Sequence, residues 1–214
     1  MSATVLDAVI VGGGLVGGLT ALLLAQGGVQ ATVLDAAPLL DEKRVIAQTN
    51  ARVLALSQAS IHLLKTVGVW PHIARSMPYS GMQVWNKNGY GEIMFGQASE
   101  KTPWQAHILG AMVEPSILNL AIQTQMQQVV HDYRTQVKVS RIEQGNKVWF
   151  VHLADGSMLT TKLLIGADGA NSFVREHAFI DLDVLDYQQA GLSCAIRTEK
   201  PHQHVARQIF LETG

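Results

Sequence analysis

Cysteine is almost absent from this chain: Cys194 is the only one among 214 residues. That excludes an intramolecular disulfide and any cysteine-rich zinc site, and a lone thiol suits a reducing compartment. Within the apolar run Gly191-Leu192-Ser193-Cys194-Ala195-Ile196 it reads as a small core residue. Charge is scarce as well. Asp, Glu, Lys and Arg make up 15% of the residues, against roughly 25% in an average globular protein, and the net charge is -1. Lacking a basic surplus, the chain does not have nucleic acid as its main ligand. A hydrophobic fraction of 48% excludes disorder. The length suits one large domain or two small ones.

No charged residue occurs between Ala8 and Leu34, a stretch long enough to imitate a membrane span. Yet glycines interrupt it throughout, Asp7 and Asp35 flank it, and the first basic residue is Lys43. A secretory signal needs a positive start, which is missing. The segment therefore reads as buried α/β structure in a cytoplasmic protein. The eight histidines show no metal-ligand spacing, and His202 and His204 read as solvated surface. No Ser-His-Asp arrangement or catalytic carboxylate pair can be assembled. Trp70, Trp85, Trp104 and Trp149 are scattered, as core or pocket walls are.

What is present is concentrated at the start. Leu6 to Val11 is a β-rich apolar run without alternation, as expected of a strand covered on both faces. Gly12-Gly13-Gly14-Leu15-Val16-Gly17 follows, then a helical stretch from Gly18 to Gln26, a second β run from Gln30 to Leu34, and Asp35. This order of strand, glycine turn, helix, strand and acid is the dinucleotide-binding unit. Gly12 permits the tight turn, Gly14 lets backbone approach a pyrophosphate, and Gly17 allows close packing of helix on strand. The helix N-terminus faces the phosphates, with Val16 counted among the cofactor-binding positions. Asp35 lies 23 residues after Gly12, where a carboxylate can accept from an adenosine ribose. An acid there favours NAD or FAD over NADP.

Residues 36 to 50 read as a loop. Ser57 caps a predicted helix reaching about Val67, and Arg52 just ahead of it is either structural or a phosphate contact. Met82–Trp85 and Glu92–Phe95 form a predicted hairpin around Asn86-Lys87-Asn88-Gly89. A helix is expected from Glu114 to about Val130, with Pro115 tolerated in its first turn. Three β runs, Gln136–Ile142, Lys147–Leu153 and Met158–Ile165, form a meander that flows into Gly166-Ala167-Asp168-Gly169-Ala170-Asn171-Ser172. Asp168 stands at a strand's C-terminal edge, where ligands of open α/β sheets bind. A plain strand-to-helix turn capped by Asp168 or Ser172 is the alternative.

The Gly12-x-Gly14-x-x-Gly17 unit with Asp35, the Arg52-x-x-Ala55-Leu56-Ser57 segment and the Gly166–Ser172 motif occur in an order that resembles class A flavoprotein aromatic hydroxylases. Tyr79–Trp85, Ile196–His202 and Val205–Gln208 are similar to the 2-polyprenylphenol hydroxylase branch of the ubiquinone-biosynthesis hydroxylases. The resemblance implies an α/β chain: a Rossmann-like FAD-binding domain of the p-hydroxybenzoate hydroxylase type with part of a mixed-sheet substrate domain. Residues 1–75 and 107–180 would form the first, residues 76–106 and 181–214 the second. Gly12, Gly14 and Gly17 would hold the FAD pyrophosphate, Asp35 the ribose and Arg52 the phosphates. Asp168 would bear on FAD and on NAD(P)H as electron donor.

The implied reaction is hydroxylation of a prenylated phenol by dioxygen through a flavin C4a-hydroperoxide. It implies contact with the inner face of the membrane and association with a ubiquinone-biosynthesis complex, and strands left without partners by truncation would expose edges, so pairing with another copy is a further expectation. The family's third motif, a Gly-Asp followed by a His/Pro/Gly-rich segment, has no match after Asp168. An N-terminal portion truncated at Gly214 and inactive alone is the expectation. An NAD(P)-dependent reductase, a flavoprotein of other chemistry such as a halogenase or prenyl reductase, and a nucleotide-binding fragment without turnover are the alternatives.

Overall fold

The computed structural model describes residues 4–96 and 108–212. Trp104 and His107 lie outside the described residues. The first strand, β1 (Val5–Val11), leads through helix α1 (Leu15–Gln26) into β2 (Ala31–Leu34). Helix α2 (Glu42–Ala47) precedes β3 (Leu54–Ser57), and α3 (Gln58–Thr66) follows. Then come β4 (Met77–Tyr79), β5 (Gly81–Asn86), β6 (Glu92–Phe95) and β7 (Gly110–Val113). Helix α4 (Pro115–Val129) leads to β8 (Asp132–Arg134), β9 (Val139–Gln144), β10 (Trp149–Leu153) and β11 (Met158–Gly166). Helix α5 (Phe173–His177) and β12 (Val205–Phe210) complete the order.

A six-stranded sheet in the order β8-β2-β1-β11-β10-β9 forms the centre. Its first four strands are mutually parallel, while β10 and β9 continue it antiparallel. The meander is thus an extension of the dinucleotide-binding sheet. Two three-stranded sheets stand beside it, β3-β7-β4 and β12-β5-β6.

Layering explains why β1 does not alternate. Ala8 and Ile10 face one cluster, with Ala21 and Leu22 of α1 and Ile117, Ala121, Ile122 and Met126 of α4. Val9 and Val11 face a second, with Val139 and Ile142 of β9, Val151 and Leu153 of β10 and Val174 of α5. Both faces are covered, so neither tolerates polar residues. Each fully buried Ile, Leu or Val contributes about 1.5–3 kcal/mol relative to exposure. Helices α1 and α4 cross closely because Gly18 has no side chain. A Cβ there would lie 2.5 Å from Ile122 Cγ2 and 3.1 Å from Met126 Sδ.

Local signals are realised at several termini. The Ser57 hydroxyl accepts from Ser60 N at 3.2 Å and starts α3, and Pro115 opens α4. The hairpin pairs Met82 with Phe95 and Val84 with Ile93. Three expectations need correction. Residues 42–47 are helical rather than loop, because the Asp41 carboxylate accepts from Arg44 N at 3.0 Å as an N-cap. Cys194 is exposed, not core: nothing among the described residues packs over residues 191–196, so apolar composition alone does not bury them. His204 is half-buried, its Nδ1 3.1 Å from the Pro78 carbonyl, because it sits where β12 approaches the β4–β5 junction. His202 is exposed, as expected. Trp70 packs against the first core cluster, and Trp85 and Trp149 are half-buried.

Candidate functional site

The turn after β1 is held from both sides. Gly12 N donates to Leu34 O at 2.7 Å and Ala167 N to Val11 O at 2.8 Å, so the ends of β1, β2 and β11 converge. Gly12 has φ +101°, a left-handed conformation that favours glycine, and a Cβ on it would overlap the Ala167 carbonyl. A Cβ on Gly17 would overlap the Gly12 carbonyl oxygen. These two glycines are required by the protein's own packing.

Gly14 is different. Its φ is -72°, which any residue adopts, and a Cβ on it would meet nothing within 4 Å. It faces a cleft of about 590 Å³ lined by the glycine turn, by Asp35 and the following residues, and by the Ala167–Gly169 loop. The chain itself supplies no steric reason for glycine here. A ligand whose bulk abuts the backbone would. Helix α1 begins at this point with no side-chain cap, leaving its first-turn amides free for an anion. The residues therefore fit the pyrophosphate of a dinucleotide.

At one end of the cleft, the Asp35 carboxylate accepts from Gly13 N at 3.0 Å and from Ala37 N at 2.9 Å. It braces the glycine turn and, with lone pairs to spare, still faces the cleft. At the other side, Asp168 accepts from the Ser172 hydroxyl and, at 3.2 Å, from Val174 N. Ser172 in turn caps α5, accepting from Arg175 N at 3.0 Å. Asp168 organises the cap and also lines the cleft.

Of the expected site residues, Gly12, Gly14, Asp35 and Asp168 line the cleft. Gly17 is buried behind it, while Val16 and Arg52 are exposed and outside the lining. Arg52 stands on a segment anchored elsewhere. Arg75 donates to the Ile46 carbonyl at 2.6 Å and pairs with Glu114 at 2.6 Å, and Glu114 also accepts from Asn50 N at 2.7 Å. Hydrogen bonding from Arg75 holds the Glu114 carboxyl below its ordinary value, against the opposing effect of burial.

Sequence reasoning missed Asn119, Gln123 and Tyr133, which also line the cleft. Gln123 accepts from Leu40 N at 2.8 Å and so holds the loop after β2 against α4. Asn119 and Gln123 are the polar residues of the stretch 117–123, four residues apart on one face of α4. That spacing was a usable signal. Tyr133 gave none, since β8 is only three residues long. Burial, followed by the nearby Asp35 charge, pushes its phenol up to about 12. Among the described residues no group of three or more His, Cys, Asp or Glu could hold a metal ion. No described helix is long and apolar enough to cross a membrane.

A parallel β1-α1-β2 unit, a glycine turn with one position open to the cleft, and an acid at the end of β2 define a dinucleotide-binding protein of the Rossmann-like class. Residues 5–210 match the FAD binding domain, and the chain belongs to that family, whose cofactor is FAD. It is 33% identical over 213 residues to the 3-demethoxyubiquinol 3-hydroxylase of Escherichia coli, covering 96% of this chain and 52% of that protein. It is 34% identical over 223 residues to the ubiquinone biosynthesis monooxygenase COQ6 of Danio rerio, covering 97% of this chain and 46% of that protein. The chain thus spans about half the length of these relatives. Among solved structures, the probable FAD-dependent monooxygenase PqsL of Pseudomonas aeruginosa superimposes with a TM-score of 0.66 at 19% identity, over 86% of this chain and 48% of that one. The p-nitrophenol 4-monooxygenase PnpA of Pseudomonas putida does so with 0.66 at 23%, over 86% and 46%. These likenesses establish the p-hydroxybenzoate hydroxylase type of fold.

Proposed function

We propose that this chain forms the FAD-binding part of a monooxygenase that hydroxylates the ring of a prenylated phenol in ubiquinone biosynthesis. The observation that carries the cofactor assignment is Gly14, a glycine with ordinary backbone and open space at its Cβ, beside an uncapped helix N-terminus. The names of the E. coli and Danio rerio relatives support the substrate class. FAD, when bound and reduced, supplies the activation of dioxygen that no side chain here can supply.

The chain's own residues bind and orient. Gly12 shapes the turn, Gly14 admits the pyrophosphate, and Gly17 keeps α1 tight against it. Asp35 accepts from the adenosine ribose and Asp168 serves the second cofactor motif, while the phosphate role expected of Arg52 draws no support from the cleft, whose lining does not include it. Residues 1–75 and 107–180 make the FAD-binding domain in this reading, and residues 76–106 and 181–214 belong with the substrate. The separate β12-β5-β6 sheet supports that division, and β4 pairs with β7 of the neighbouring three-stranded sheet. The phenol, dioxygen and an apolar access route for the prenyl tail are the remaining requirements.

Two measurements test this. Gly14→Val should keep the far-UV spectrum and thermal midpoint of the parent chain while losing FAD binding in a fluorescence titration. Unchanged FAD affinity would refute the cofactor site. Disrupting the gene for this chain should make a prenylated ubiquinone precursor accumulate, read by mass spectrometry of extracted lipids. An unaltered quinone pool would remove the substrate assignment and leave the cofactor site standing.

A further inference from the structure

Tyr133 is a lining residue to which the cofactor reading gives no task. The register of β8 on β2 pairs Val33 with Tyr133 and Leu34 with Arg134, so Tyr133 stands beside the end of β2, next to Asp35. Its ring closes on the glycine turn: a Cβ on Gly13 would lie 2.7 Å from Asp35 Oδ2 and 3.1 Å from Tyr133 Cε2. Gly13, Asp35 and Tyr133 therefore meet at one point on the cleft wall. The tyrosine is half-buried, yet its hydroxyl has no hydrogen-bond partner among the described residues. That hydroxyl is open to solvent and not sealed in the interior, so it is free to meet a ligand. Here the cleft is the open direction.

We propose that Tyr133 is a second recognition residue for the adenosine end of the dinucleotide, its phenol donating to a ribose hydroxyl that itself donates to Asp35. The inference rests on the reading of the cleft as the FAD site. The chemistry is complementary. Asp35 is an acceptor only, so a ribose hydroxyl that donates to it keeps lone pairs needing a donor. Tyr133 supplies that donor from a ring already held by Gly13, so little side-chain freedom is lost on binding. Its raised pKa, about 12, keeps the phenol protonated through the neutral range.

Tyr133→Phe retains the ring and its packing and removes only the hydroxyl. The parent chain and the variant are titrated with FAD, ADP and FMN, flavins by fluorescence and ADP by calorimetry. The variant should bind FAD and ADP about three- to tenfold more weakly, the scale of one lost hydrogen bond. FMN, which lacks adenosine, should bind both chains alike. With 2′,3′-dideoxy-ADP the two chains should also bind alike, because the hydroxyls that meet the phenol are gone. Equal FAD and ADP affinities overturn the proposal, and so does a loss that persists with the dideoxy nucleotide, which would move the contact off the ribose. A parent chain that binds no FAD fails the cofactor reading and this inference together. FAD bound equally by both chains fails this inference alone.

Discussion

The strands β2 and β6 are four residues each and similarly apolar, yet they have opposite fates. Ala31-Thr32-Val33-Leu34 is buried throughout, whereas Glu92-Ile93-Met94-Phe95 is exposed throughout. The difference lies in the neighbours. The sheet holding β2 is covered by α1 and α4 on one face and by the β9–β10 extension with α5 on the other. The sheet of β12, β5 and β6 has no such layers among the described residues, and Ile93, Phe95 and Phe210 are 56%, 53% and 51% exposed. Burial is a property of layers, and a strand's composition only permits it. The cofactor cleft belongs to the covered sheet, which suits a site that must hold its geometry.

The largest effect should come where the covered region is tightest. Gly17→Ala puts a methyl group into the Gly12 carbonyl, and a stability loss of about 3 kcal/mol or more is expected from such overpacking. Gly14→Ala, three residues away with open space, should change stability by less than about 0.5 kcal/mol. Equal urea midpoints for the two variants would erase the distinction between the packed and the open glycine.

Glu114→Gln addresses the joint between α4 and the 46–50 segment, and a loss of about 1–3 kcal/mol at pH 7 is expected on removing a charge-assisted pair. Because the folded carboxyl titrates below its ordinary 4.5, that stabilisation is complete above pH 4.5 and disappears as pH falls through the folded value. Denaturation at pH 7 and pH 3 should show the gap between parent and variant closing in acid. A gap of equal size at both would assign the loss to packing.

The smallest effect belongs to the uncovered sheet. Ile93→Thr should cost less than about 0.5 kcal/mol, whereas Ile10→Val in β1 should cost about 0.5–1.5 kcal/mol. Amide exchange sharpens the same contrast: β1 and β2 should be protected nearly to the global limit, β6 and β12 far less. Protection of β6 matching that of β1 would show the second sheet to be covered in solution.

Much of this architecture was legible in the residues because it depends on neighbours in sequence. The glycine turn with its flanking strands, the Ser57 cap, the Pro115 start of α4, the 82–95 hairpin and the meander each follow from local sterics and hydrogen bonding. Helix α2 was legible too, through the Asp41 cap, but was masked by the density of charge around it. Gly12, Gly14, Asp35 and Asp168 could be placed at the site because a motif states both residue type and spacing. Other features carried no local signal. Strand β8 is three residues long, β12 pairs in parallel with β5 across more than a hundred intervening residues, and the β3-β7-β4 sheet joins three distant pieces.

The sequence by itself determined that this is a dinucleotide-binding α/β chain, because a glycine turn between strand and helix is a matter of adjacent backbone angles and amide directions. Only the tertiary structure decided which glycine is closed in by the protein and which faces the open cleft, since that depends on atoms more than a hundred residues away, as Ala167 is from Gly12. It also decided that Tyr133 meets Asp35 at the cleft and that Cys194 lies in the open. Contacts of that kind are set by how layers stack, and no local pattern encodes them.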